Sequence, residues 1–156
     1  LEIASNHCGN VELIHFRTPT IYGPGEDVIA HTPSGFLQTY RAGSDITLWG
    51  DGSDRREFIF VDDILFLLEQ LLSCPYSGVF NIGTGIGHSY REALDVVGEV
   101  LNQELLVHTK QRTKPKIDKI VNPVQLKSLF PDFYFTSLFD GINSTYLSEE
   151  SSTGTI

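Results

Sequence analysis

Cysteine is scarce. Cys8 and Cys74 are the only two in 156 residues, too few for a disulfide framework and without the Cys-x-x-Cys spacing of a zinc or redox site. A reducing cytoplasm is the compartment this implies. Long apolar runs are also lacking. The longest, Ile64 to Leu68, is stopped by Glu69 and Gln70, far short of the roughly 20 residues that cross a bilayer, so no membrane partner is expected. The first residues show no basic stretch leading into an apolar one, so no secretory leader is read there. Positive charge is in short supply as well: 11 Lys and Arg stand against 20 Asp and Glu, a net charge of −9. Nucleic acid is excluded as the main partner, because neutralising phosphates needs a concentrated basic face. The five histidines lack His-x-x-x-His spacing, and their order yields no Ser-His-Asp set, so neither a metal site nor a catalytic triad is expected. No internal repeat or low-complexity segment is found.

What remains is ordinary globular composition, 40% apolar and 20% charged, in a length that suits one domain with a real core. Only the end is expected to loosen: Ser148 to Ile156 is acidic and rich in Ser, Thr and Gly, and reads as a flexible tail behind a folded 1–147. Charge is uneven. Residues 110 to 119 hold Lys110, Arg112, Lys114, Lys116 and Lys119 against Asp118, a local +4 that is either a solvated loop or a segment that binds phosphate. A small anion suits it better than a polymer.

Periodicity and turn signals divide the chain into alternating elements. Val11 to Phe16 reads as a buried strand that delivers Arg17 to its carboxyl end, where ligands of open α/β sheets gather. Gly23-Pro24-Gly25 breaks the chain, and Ser34 is placed to cap a helix reaching about Ala42, with Gly43 as its stop. Ile46 to Trp49 and Phe58 to Val61 read as strands around the turn-rich Gly50-Asp51-Gly52-Ser53-Asp54. Asp62 or Asp63 is expected to cap the next helix, with Ile64, Leu65, Leu67, Leu68, Leu71 and Leu72 packing one face and Cys74-Pro75 ending it. Val79 to Ile82 reads as a strand. Ser89 opens a helix with Glu92 completing a capping box and Ala93, Leu94, Val96, Val97, Val100 and Leu101 inward. Leu105 to His108 reads as a strand, and Val124–Phe130 and Ser137–Tyr146 as helices. The alternation predicts an α/β fold.

Three landmarks stand out in this order: Arg17-Thr18-Pro19-Thr20-Ile21-Tyr22-Gly23-Pro24-Gly25, then Gly50-Asp51-Gly52-Ser53-Asp54-Arg55-Arg56-Glu57-Phe58-Ile59-Phe60-Val61-Asp62-Asp63, then Val79-Phe80-Asn81-Ile82-Gly83-Thr84-Gly85. Together they resemble the second half of the NAD-dependent epimerase/dehydratase family, extended short-chain dehydrogenases that remodel nucleotide sugars. The resemblance implies the C-terminal part of a Rossmann-type fold with a small mixed α/β substrate-binding lobe. It also implies a nucleotide-diphosphate sugar as partner and NAD or NADP as cofactor of the complete enzyme. The family's Gly-x-x-Gly-x-x-Gly loop and Tyr-x-x-x-Lys pair are not in this sequence: none of the six tyrosines has Lys four residues later. The chain therefore reads as a fragment whose cofactor-binding half is absent, with Leu1 to Cys8 as the tail of the helix that carries that pair. Such a piece is expected to be inactive and not to bind NAD tightly. A non-catalytic sugar-nucleotide binding module and an NAD(P)H-dependent ketone reductase of the same superfamily are the alternatives. A sheet edge left open by missing strands would also favour self-association, such as a homodimer.

Arg56 is the leading candidate. An arginine beside a strand start presents a planar fork that matches two phosphate oxygens, and the resemblance assigns it the substrate's diphosphate. Arg55 would point to the opposite side of the strand; alternatively the pair merely bridges Asp51 or Asp54. Arg112 is the candidate within the basic run. Thr20 stands where the family usually has a substrate-binding asparagine, and keeps only one hydroxyl of that contact. By the same matching Thr18 and Pro19 lie against the nicotinamide, or simply form a rigid strand exit. Trp49 and Phe36 are candidates for enclosing the base, with core packing the alternative for Phe36. Asn81 and the glycines after it form a substrate-side loop by resemblance, or a tight turn. Gly83-Thr84-Gly85-Ile86-Gly87-His88 is not a dinucleotide fingerprint, because His88 occupies the third glycine's place. Tyr22, Asp62 and Asp63 read as structural, so no catalytic residue is assigned.

Overall fold

The computed structural model describes residues 13–26, 29, 31–73 and 78–153. The expectations for Leu1 to Cys8, for Val11 and for Cys74-Pro75 lie outside the described residues. Among these residues eight strands and five helices follow in order: β1 Ile14–Arg17, β2 Thr20–Tyr22, α1 Ser34–Arg41, β3 Ile46–Trp49, β4 Arg55–Arg56, β5 Phe58–Phe60, α2 Val61–Leu72, β6 Gly78–Asn81, β7 His88–Ser89, α3 Tyr90–Leu101, β8 Val107–Lys110, α4 Val124–Leu129 and α5 Leu138–Thr153. Strands pair two by two. β1 runs parallel to β6 with Arg17 opposite Asn81, β2 parallel to β5 with Thr20 opposite Phe58, and β3 parallel to β8 with Trp49 opposite Lys110. β4 and β7 are antiparallel, placing Arg56 opposite His88. The parallel pairs with intervening helices make this the α/β class that the alternation predicted.

Two apolar cores share β5. Phe58 and Phe60 join Tyr22, Phe36, Leu37, Ile46, Leu48, Ile142 and the α3 face of Ala93, Leu94 and Val97. Ile59 joins Ile64, Leu67 and Leu71 of α2 with Phe80, Ile82 and Leu126. A strand with apolar groups on both faces is covered on both, and all three β5 residues are buried. Tyr22 is buried too, its hydroxyl donating to Leu138 O at 3.5 Å. Gly141 of α5 lies so close to that ring that no Cβ would fit between them. Tyr22 is thus part of the first core's packing.

Local signals were followed where they were self-contained. At the start of α3, Ser89 Oγ accepts from Glu92 N at 3.0 Å and Glu92 Oε2 accepts from Ser89 N at 2.8 Å, the expected capping box. Gly43 adopts φ +64° just beyond α1, as a helix stop requires. Five expectations need correction. Pro33, not Ser34, holds the N-cap position of α1, and Ser34 is already inside the first turn, where its buried Oγ meets no partner among the described residues. Helix α2 springs directly from β5, so Phe60 takes the cap position and both Asp62 and Asp63 fall in the first turn without capping it. Leu65 and Leu72 on α2 are exposed, not packed. Helix α5 spans Leu138–Thr153, beyond Tyr146 where the last helix was expected to end; Arg41 donates to Tyr146 O at 3.1 Å and pairs with Glu149 along this stretch. The last strand also sits slightly later than expected, at Val107–Lys110.

Candidate functional site

β3, β4, the start of α3 and the basic segment after β8 enclose a cavity of about 590 Å³, within the usual range for small-molecule sites. Phe36, Trp49, Arg56 and Arg112 line it, joined by Tyr90 and Lys114. Four of the six candidate substrate-binding residues are therefore brought together from positions up to 76 residues apart.

Arg56 is held from two sides. Its Nη1 donates to Arg55 O at 2.8 Å and to Ile117 O, while its Cζ lies 5.7 Å from the centre of the Tyr90 ring. Among the described residues no protein acceptor meets Nη2 or Nε. One edge of the guanidinium is thus fixed by carbonyls and an aromatic face, and the other edge keeps donors for a ligand, the fork geometry that suits a phosphate. Arg55 does something else: Nε and Nη2 donate to Gly87 O at 3.0 and 2.6 Å, and Nη1 to Glu92 Oε1 at 3.1 Å. The neighbouring arginines diverge, as the strand period predicted. Neither bridges Asp51 or Asp54.

Arg112 makes those bridges, with Nη1 2.6 Å from Asp54 Oδ2 and Nη2 3.2 Å from Asp51 Oδ1. Asp51 is drawn down to about 2, first by the Ser53 hydroxyl, then by the Ser53 amide, with Arg112 adding to the effect. The rest of the basic segment is laced to β4: Ile117 N donates to Asp54 Oδ1 at 2.9 Å, Arg55 N to Asp118 Oδ1 at 2.9 Å, and Lys119 N to Arg55 O at 3.0 Å. Trp49 stands 58% exposed at the cavity lip, with Lys110 Nζ 5.9 Å from its ring. Phe36 is buried in the first core and also lines the cavity.

The remaining candidates lie elsewhere. Thr20 is half-buried at the start of β2 and lines neither this cavity nor its neighbour. Asn81, at the carboxyl end of β6, lines a separate 470 Å³ hollow with Asn122, Gln125 and Ser128. Thr18 is exposed and Pro19 half-buried just beyond β1. No cluster of three metal-ligating side chains occurs among the described residues, and no helix there is long and apolar enough to cross a membrane.

Sequence reasoning missed Glu57. It is fully buried, and its Oε2 accepts from Thr84 N at 2.7 Å, Thr84 Oγ1 at 3.1 Å and Gly85 N at 3.3 Å, while Oε1 accepts from Val121 N. A carboxylate next to Phe58 in an apolar strand was the available signal, since buried charge persists only when it is bonded. Tyr90, Asp54 and Lys114 were missed as lining residues. Asp54 stood inside a quoted motif, but nothing local marks Tyr90.

Residues 2–83 match the NAD dependent epimerase/dehydratase family, more than half of the chain. The chain belongs to this family. Relatives include UDP-glucose 4-epimerase of Mycolicibacterium smegmatis, 33% identical over 88 residues, covering 53% of this chain and 28% of the relative. GDP-L-fucose synthase 1 of Arabidopsis thaliana is 35% identical over 113 residues, 65% of this chain and 32% of the relative. Among solved structures, a dTDP-glucose 4,6-dehydratase from Streptomyces venezuelae, with NAD bound, superposes with a TM-score of 0.80 at 19% identity, covering 97% of this chain and 48% of that one. That likeness shows the Rossmann-type extended short-chain dehydrogenase fold. The chain spans about a third or less of these curated relatives and about half of the solved structure.

Proposed function

We propose that this chain is the nucleotide-sugar-binding portion of an NAD-dependent nucleotide-sugar epimerase or dehydratase, similar to UDP-glucose 4-epimerase. In this reading residues 1–147 form the substrate half with the last strands of the Rossmann sheet, and the chain alone is inactive. The observation that carries the reading is that Arg56, whose Nη2 and Nε meet no protein acceptor among the described residues, lines a cavity of ligand size together with an exposed tryptophan. Arg56 grips the diphosphate and Trp49 covers the base. Lys114 adds positive charge at the rim, where Arg112 is paired with Asp54 and Asp51, and Phe36 is part of the lining. Thr20 and Asn81, outside that cavity, reach the sugar only at the margin of the site.

In the complete enzyme a bound NAD would supply the hydride-transfer chemistry at a sugar carbon. This chain's part is to bind and orient: holding the diphosphate fixes the sugar's reacting carbon, which lowers the entropic part of the barrier. Thr18 and Pro19 supply a wall for the nicotinamide; the phosphate-binding groups for the cofactor are not among the described residues. The cytoplasm is the compartment, and a homodimer the assembly, that go with this reading.

Calorimetric titration with UDP-, dTDP- and GDP-sugars tests it. One of the three is expected to bind, and Arg56→Ala to weaken that binding by roughly tenfold to a hundredfold, the worth of a charge-assisted phosphate contact. A folded protein that gives no heat with any of them, or an Arg56→Ala variant with unchanged affinity, overturns the proposal.

A further inference from the structure

The nucleotide-sugar reading is the basis for a further question: how the same cavity selects among phosphorylated ligands. Four charged side chains line it, the cations Arg56, Arg112 and Lys114 and the carboxylate of Asp54. A carboxylate inside an anion cavity works against affinity, so its placement calls for a reason. The Asp54 side chain is 16% exposed, its Oδ2 lies 2.6 Å from Arg112 Nη1, and its Oδ1 accepts from Ile117 N at 2.9 Å. A carboxylate oxygen that close to a guanidinium offsets that arginine's charge. Asp51, outside the lining, shares the same guanidinium at 3.2 Å, and the net charge of the lining residues is +2, presented at two separate points by Arg56 and Lys114.

A diphosphate diester joining a nucleoside to a sugar carries two negative charges, one on each phosphate. A nucleoside diphosphate with a free terminal phosphate carries nearly one more at neutral pH, because the second ionisation of such a phosphate lies near 6. We propose that Asp54 is a specificity-determining residue that matches the cavity to a diphosphate diester and disfavours nucleotides ending in a free phosphate. It does so by neutralising Arg112 and by repelling the extra charge directly.

Asp54 also tethers the Ile117 backbone, whose carbonyl is taken by Arg56. Asparagine at position 54 keeps an oxygen for the Ile117 N–H while losing the charge, so the two roles separate. The test is calorimetric titration of the full chain with UDP-glucose and with UDP, for the unaltered protein and Asp54→Asn. The variant is expected to shift the ratio of affinities toward UDP by roughly threefold to tenfold, the size of one charge acting over several ångströms at a protein surface, and the shift should shrink as salt is added. Arg112→Gln, which removes a cation at the same place, should move the ratio toward UDP-glucose and carries the test if Asp54→Asn does not fold. An unchanged or opposite ratio in the folded variants overturns the inference while leaving the nucleotide-sugar reading standing. Failure of the unaltered protein to bind either ligand overturns both.

Discussion

Glu57 draws its hydrogen-bond donors from residues 27 to 64 positions away, stitching the loop after β6 and the segment at Val121 to the strand that carries Arg56. Replacing it with alanine leaves the amides of Thr84, Gly85 and Val121 without the acceptor they have in the fold. Each such loss costs about 1–3 kcal/mol before relaxation, so Glu57→Ala should destabilise the fold by about 3 kcal/mol in urea unfolding; a change near zero would mean that water or rearrangement satisfies those amides. Asp63 offers a second test at this scale. Its carboxyl accepts from Thr136 N at 3.0 Å and Thr136 Oγ1 at 2.8 Å, yet burial raises its pKa, with Asp62 adding to the rise and the Thr136 bonds opposing it. The folded value thus exceeds the unfolded one. The native state binds more protons between the two, so stability from this group falls as pH rises through that window. Asp63→Asn removes the dependence: unfolding midpoints followed upward from pH 3.5 should show the variant gaining on the unaltered protein, whereas parallel curves would contradict the assignment.

Helix starts divide by how far their determinants extend. Ser89 and Glu92 lie three residues apart and need only each other, so their capping box was legible in the sequence, and Ser89→Ala should cost about 1 kcal/mol by thermal or urea unfolding. Ser34, Asp62 and Asp63 were equally good candidates by residue type. They do not cap because the element before each helix sets its first turn: Pro33 occupies the position before Ser34, and β5 runs into α2 without a linker. Leu65 and Leu72 show the same limit, since helical spacing counts apolar residues but not the width of the surface that receives them. The final helix went the other way. Its last turns are polar by composition, but Arg41 of α1 holds them through Tyr146 and Glu149.

Across the whole molecule, a net charge of −9 surrounds a cavity rimmed by cations. Affinity for a nucleotide sugar should therefore weaken with ionic strength, because salt screens the local attraction over about 10 Å. Titrations at 20 and 300 mM salt would detect it, and salt-independent affinity would place the diphosphate away from Arg56 and Lys114. The three motifs, the α/β class, the strand and helix order and the candidacy of Arg56 were all present in the sequence, because they rest on short-range pattern: turn glycines, apolar periodicity and a guanidinium beside a strand start. Only the tertiary structure decided which candidates meet. Antiparallel pairing of β4 with β7 sets Tyr90 under Arg56, and Asp54 fastens the basic segment across the opening, while Thr20 and Asn81 end on other strand pairs. Such meetings depend on contacts between residues tens of positions apart, whose partners are chosen by packing and hydrogen bonding of the whole fold, and no local pattern of residues encodes them.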